Sequence, residues 1–372
     1  MNIPSPRRRL LTRISILAVA GLIGAPVAFA AEVVAPLEAV IVAVDDVSSE
    51  RAAGWKKEGF KAVVIVVDER HEAASLRKAA DAIKEQSLQF FFWIEIARSP
   101  LLAEEHPQWM ASLGTHQDWR QRFPKVARPG KNEVVKAWPW VPIGYRETFD
   151  AQLIRVGRLI ERLPDGYDGI LLNDLQGAPA SCGCGNLQCR WAIDYKVPST
   201  ATPLTETDIA ARFVAEVEKL AKGKTVVPVW TTECEQEDLS PTKRQQGWTT
   251  GLCCEVPCFE TCRKKFEEQW TALHAKTDKP TALLMLHKEF QRNVKGYGEP
   301  TGWIAQAAEF WRRQGPKPLP GKSLWLVVQG YDVPPAEEQA ARQAAINAGA
   351  GAVLVARTRL DQSYEPRIVP IK

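Results

Sequence analysis

The chain has 372 residues, with 48 Lys and Arg against 44 Asp and Glu, 8 cysteines and 13 tryptophans. Arg7, Arg8, Arg9 and Arg13 fall within the first thirty residues, which hold no acid; subtracting those four from 48 leaves 44 bases facing 44 acids. A neutral body without a basic block argues against nucleic acid as a partner. Its length suits one barrel domain with elaborated loops.

Residues 1–30 read as an export signal. The arginines form a basic n-region, Ile14 to Ala25 an apolar core, and Ala28-Phe29-Ala30 presents small residues at both positions a signal peptidase reads. Arg7-Arg8-Arg9-Leu10-Leu11 also resembles a twin-arginine export motif, whose cargo crosses in the folded state. The alternative is an uncleaved anchor, although the run falls short of the ~20 apolar residues a span needs. The expected location is periplasmic or extracellular, with no membrane span after cleavage.

Apolar runs of strand length then alternate with helical patterns, as repeated βα units do around a parallel sheet. In chain order the strand candidates are 39–44, 62–67, 88–96, 167–174, 225–230, 251–256, 281–287, 323–329 and 351–356. That is one more than a closed barrel uses. Residues 251–256 are set aside, because Cys253-Cys254 and the following Pro257 suit irregular chain. The predicted fold is an α/β (β/α)8 barrel of the TIM type over residues 31–372, with a doubly wound open sheet as the alternative.

Among the helices, Phe149, Leu153, Val156, Ile160 and Leu163 place one apolar stripe ahead of 167–174. Ile209, Phe213, Val217 and Leu220 do the same within 205–221, and 335–348 is a third helix ending at Gly349. Long insertions at 97–146 and 231–262 exceed routine loops and are expected to shape a binding site.

The most informative stretch is Tyr167-Asp168-Gly169-Ile170-Leu171-Leu172-Asn173-Asp174, an apolar run that ends in an acid. A buried barrel strand looks like this when it delivers a carboxylate to the mouth. With Phe92-Trp93-Ile94-Glu95-Ile96, His106-Pro107-Gln108-Trp109, Tyr145-Arg146-Glu147 and the Cys182-x-Cys184-x4-Cys189 loop, it resembles bacterial glycoside-hydrolase-like barrel proteins distantly related to the α-amylase superfamily, in a cysteine-bearing variant. The likeness covers roughly residues 38–190. It implies a barrel and a carboxylate at Asp174 acting as nucleophile or acid/base. The chain departs from that pattern in carrying Asn173 where an Asp is frequent.

Glycoside hydrolysis needs two carboxyls flanking the bond, one to protonate the leaving oxygen and one to attack or activate water. Acids expected at strand C-termini are Asp45, Asp46, Asp68, Glu95, Asp174, Glu233, Glu255 and Glu289. Asp174 with Glu233 is the leading catalytic pair, Glu233 being the proton donor and Glu255 the reserve. Asp45, Asp46 and Asp68 suit helix caps or loop backbone. Glu95 is read either as a substrate contact or as a buried ion-pair partner of Arg98. Trp138, Trp140, Trp230 and His106 complete the candidate substrate-binding set, since indole faces stack on the C–H faces of sugars. Trp93 and Trp325 suit the core.

Cys182, Cys184, Cys189, Cys234, Cys253, Cys254, Cys258 and Cys262 sit in neighbouring loops of an exported chain, which points first to disulfides. A closed structural Zn²⁺ is the alternative, and no other cofactor is expected. No nucleophile elbow, phosphate-binding glycine loop or dinucleotide fingerprint is present. The sequence therefore points to an exported glycoside-hydrolase-like protein that binds, and potentially hydrolyses, a carbohydrate. The alternatives are a catalytically silent barrel binding a carbohydrate or a partner, and thirdly a metal-dependent sugar isomerase using His287, Glu289 and Asp174.

Overall fold

The computed structural model describes residues 35–109, 127, 133–136, 139, 141–175, 202, 204, 206, 208–231, 270–274, 279–286, 304–305, 308–309, 312–313, 323–360 and 367–370. In chain order its strands are β1 (Leu37–Ala43), β2 (Ala62–Val67), β3 (Gln89–Glu95), β4 (Glu133–Lys136), β5 (Gly169–Asn173), β6 (Thr225–Thr231), β7 (Thr281–Met285), β8 (Leu324–Gln329), β9 (Ala352–Ala356) and β10 (Arg367–Pro370). All but β4 and β10 pair in parallel and close into a barrel in the order β1-β2-β3-β5-β6-β7-β8-β9. This is the (β/α)8 architecture. Closure needs no stave from 251–256, which lies outside the described residues.

The described helices are α1 (Ser49–Lys57), α2 (Ala73–Glu85), α3 (Pro100–Glu105), α4 (Arg146–Arg162), α5 (Ile209–Leu220) and α6 (Pro335–Asn347). Ser48 opens α1 by accepting the Arg51 amide at 3.2 Å, which satisfies one of the donors a helix start leaves unpaired. Strands such as Ala-Val-Val-Ile-Val-Val in β2 and Leu-Trp-Leu-Val-Val-Gln in β8 are apolar nearly throughout, because each is covered on both faces. β4 and β10 form a separate antiparallel pair, joining the 97–146 insertion to the C-terminal segment.

Which residues fill the barrel follows from one contact. Phe91 of β3 meets Trp325 of β8 edge-on, with ring centroids 5.8 Å apart, although the two strands lie on opposite sides of the closed sheet. Both rings must therefore point inward. Side chains alternate along a strand, so Trp93 and Glu95 share that inward face.

Gly169 stands opposite Phe91 in the β3–β5 register. A Cβ added there would lie 2.5 Å from the Thr225 carbonyl oxygen and 3.1 Å from the Phe91 ring. Gly169→Ala should destabilise the barrel by about 1–3 kcal/mol, the usual cost of overpacking. An unchanged denaturation midpoint would refute that.

Several segments are shorter than the sequence pattern suggests, and two differ most. The helix placed at 205–221 begins at Ile209. The strand placed at 167–174 loses both ends. Asp168 is a link to β3 rather than a stave residue, its amide donating to the Phe90 carbonyl at 2.8 Å and its carboxylate accepting the Phe90 amide at 2.9 Å. At the other end Asp174 leaves the sheet with φ +59°.

Candidate active site

Glu95 is the last residue of β3, and Asn173, the last of β5, is its register partner. Parallel pairing thus sets the two side chains next to each other at the C-terminal rim, where barrel enzymes keep their chemistry. The Asn173 amide donates to both Glu95 oxygens, at 3.1 and 3.0 Å. Trp93, two residues earlier on the same face, donates its indole N–H to Glu95 Oε1 at 2.7 Å. Glu95 is 2 % exposed.

Alternation would send the side chain after Asn173 to the other face. Asp174 instead takes the left-handed conformation, which non-glycine residues seldom adopt and which Asp tolerates better than most. Its carboxyl lies buried beside that of Glu95, within hydrogen-bond reach. Burial, then the Asp174 carboxyl beside it, pushes proton release from Glu95 well above the usual carboxylate range. Burial raises Asp174 as well, against the pull of the Arg98 guanidinium and its bond with Glu95. Two carboxyls this close titrate as one unit. The pair therefore holds a proton to higher pH than an ordinary carboxylate does.

The sign of the resulting pH dependence is fixed. A carboxyl whose folded pKa lies above its unfolded value holds its proton longer in the native state. Its stabilising contribution is full below about 4.5 and is lost as pH rises through the folded value. Glu95→Gln removes the mutual repulsion. The variant should lose less stability than the parent as pH rises above about 4.5, with melting curves converging near pH 4. Parallel curves across that range would contradict the coupling.

A second layer of polar groups supports the rim from outside the barrel. Arg155 on α4, 4 % exposed, donates to the Glu95 carbonyl at 2.8 Å, to the Ile96 carbonyl at 3.5 Å and to Gln152 Oε1 at 2.8 Å. It also pairs with Glu69 in the β2–α2 connection. Gln152 in turn donates to the Val141 carbonyl at 2.8 Å. One buried guanidinium thus ties the end of β3 to α4 and to the chain after β2. Beside it, between α3 and α4, a cavity of about 640 Å³ is lined by residues including Leu101, His106, Ile154 and Arg155.

The sequence-predicted residues divide into three groups. Asp174 and Glu95 come together, but Glu95 faces Asp174 and Asn173 first, and Arg98 adds its charge to both carboxyls. Trp230 is a correction. It is fully buried, edge-on to Trp270 at 6.0 Å, so its ring packs the interior and offers no face to a sugar. His106 stacks on Trp109 at 3.9 Å and lines the cavity between α3 and α4. Trp93 and Trp325 are buried, as expected of core residues. Asp68 binds loop backbone as expected, accepting the Arg70 amide at 2.8 Å. Burial would raise its pKa, but bonds from His71 and Arg70 hold it well below the ordinary value.

Glu233, Glu255, Glu289, His287, Trp138, Trp140 and all eight cysteines lie outside the described residues. Among the described residues no cluster of His, Cys, Asp or Glu has the makings of a metal site, and no helix is long and apolar enough to cross a membrane. Sequence reasoning did not foresee the parts of Asn173 and Arg155. Strand parity would have placed Trp93 and Glu95 on one face. No sequence signal marks Arg155 as the residue that meets the end of β3.

No family model matches the chain, and no curated protein matches it. Among solved structures it is similar to a β-galactosidase from the Antarctic haloarchaeon Halorubrum lacusprofundi, at 16 % identity and TM-score 0.47 over 87 % of this chain and 52 % of that one. It is also similar to a family 1 β-glucosidase from Thermotoga maritima, at 12 % identity and TM-score 0.43 over 86 % and 88 % of the two chains. A third is the C-terminal domain of Legionella pneumophila ChiA, at 10 % identity and TM-score 0.40 over 86 % and 91 %. The chain thus spans about half the length of the β-galactosidase. Likenesses of this size carry no functional argument, and the chemistry has to be read from the carboxyl pair itself.

Proposed function

We propose that this barrel is an exported, carbohydrate-acting hydrolase in which Asp174 protonates the leaving oxygen. The observation that carries the reading is the buried pair of Glu95 and Asp174 at the rim, whose proton release is pushed above the ordinary carboxylate range. A glycosidase needs one such acid, and burial beside a second carboxyl is a standard way to make one.

Glu95 is not the opposing carboxyl. Retaining enzymes separate theirs by about 5–5.5 Å and inverting enzymes by about 6.5–9.5 Å, whereas these two are close enough to share a proton. The opposing group must come from another loop. Glu233 follows β6, the neighbour of β5, and is our candidate for nucleophile or base, with Glu255 in reserve. This exchanges the roles expected from sequence, where Glu233 was the donor. Trp138 and Trp140 are our proposed sugar platforms. Disulfide bracing of the cysteine-bearing loops is also our reading, against a structural Zn²⁺; thiol titration of the unfolded, unreduced protein, with metal analysis, separates the two.

The test is a screen of the exported protein against polysaccharides and aryl glycosides, read by release of reducing ends. Turnover that disappears in Asp174→Asn supports the proposal. One observation favours the rival, a catalytically silent binding barrel. Both carboxyls are under 5 % exposed, and Glu95 already has its hydrogen bonds. Glycan binding by calorimetry without turnover, lost on substitution of Trp138 or Trp140, would establish that rival.

A further inference from the structure

The hydrogen bonds around the carboxyl pair are unevenly shared. Three N–H contacts converge on Glu95, one from Trp93 and two from Asn173. Indole N–H is a donor only, and the amide nitrogen of Asn donates as well. Donors of this kind favour the ionised form of the group they reach. Asp174 has the opposite surroundings. Its buried Oδ2 has no hydrogen-bond partner. Leaving an oxygen bare is far less costly on a neutral acid than on an anion. Arg98 lowers both carboxyls, and the donors that reach them are what differ.

We propose that the proton of the pair resides on Asp174, and that Trp93 and Asn173 are positioning residues that keep it there by holding Glu95 as the anion. The Asp174 hydroxyl donates to a Glu95 oxygen, and the carbonyl oxygen that remains is Oδ2. The strained backbone at φ +59° has a purpose in this arrangement: it turns Asp174 from the outward face of the sheet towards Glu95. The proposal deepens the reading of Asp174 as proton donor, and its test does not depend on turnover.

The test is infrared spectroscopy of the full chain at neutral pH, prepared with 13C-carboxyl aspartate in one sample and 13C-carboxyl glutamate in another. A protonated buried carboxyl gives a C=O band apart from those of the ionised acids. The expected result is a band that shifts with labelled aspartate, stays with labelled glutamate and vanishes in Asp174→Asn. Trp93→Phe removes one donor from Glu95 and should transfer part of the band to the glutamate label. A wild-type band that follows glutamate would overturn the proposal, and would mean that Asn173 presents its oxygen to a protonated Glu95. Absence of any such band, with both carboxyls ionised, would overturn it equally. If the band follows aspartate while no glycan is turned over, the hydrolase reading fails and the proton assignment stands.

Discussion

Asp174→Asn is expected to lower turnover of an unactivated glycoside by about 10²–10⁴-fold, the usual contribution of a general acid. Aryl glycosides whose phenol leaves without a proton should lose much less. The contrast follows from the assigned role. Asn keeps the shape of the side chain and can still donate to Glu95, but it has no acidic proton to give the departing oxygen. A nucleophile at this position would behave differently, since its loss would slow both substrate types alike. Measuring kcat/KM for a series of aryl glycosides of graded phenol acidity decides the matter. A steep dependence on leaving-group acidity in the variant, shallow in the parent, is the expected pattern, and equal loss across the series would remove Asp174 as the donor.

Arg155→Met should cost about 3–5 kcal/mol, the range for removing one member of a buried ion pair. Three things are lost together. Glu69 is left without its cation, and the Glu95 and Ile96 carbonyls lose their donors at the end of β3. Gln152 also loses its partner. Lys cannot substitute, because one ammonium cannot reach a carboxylate, two carbonyls and an amide as the planar guanidinium does. Guanidinium-induced unfolding reads the cost directly, and a loss below about 1 kcal/mol would mean that Arg155 behaves as an exposed pair. Since Arg155 bonds the backbone of Glu95, the variant should also disturb the rim more than a substitution of Arg158, exposed one turn further on.

Much of the barrel is legible in the chain because its parallel strands are covered on both faces. Each stave is then a short apolar run bounded by turns, and the eight staves of the structure coincide with eight of the nine runs to within a few residues. The helix ahead of β5 is legible for a related reason, its apolar positions recurring at helical spacing. What that pattern hid is the polar content of the same buried face, where Thr148, Gln152 and Arg155 lie among Phe149, Val156 and Leu159. Periodicity assigns a face by its apolar members and treats an arginine between them as solvent-exposed.

The candidate site shows the same division. An acid at the end of an apolar strand was enough to single out Asp174, and the position of Glu95 at the end of β3 was equally plain. That Glu95 and Asp174 form a pair was not, for two reasons. Their proximity depends on β5 following β3 around the barrel, with the 97–146 insertion contributing no stave between them. It depends also on one left-handed residue that breaks the alternation a strand would impose. Trp230 illustrates the reverse case: a tryptophan at a strand end reads as a sugar platform, and only its packing against Trp270 shows it to be core.

Local sequence thus determined the elements and the acids at their ends, because secondary structure and burial on both faces are written into runs of a few residues. The partnership of Glu95 with Asp174, and its support by Asn173 and Arg155, were decided by tertiary structure alone. Those contacts join positions 60 to 78 or so residues apart, and a carboxyl's proton affinity depends on which groups the closed barrel brings beside it.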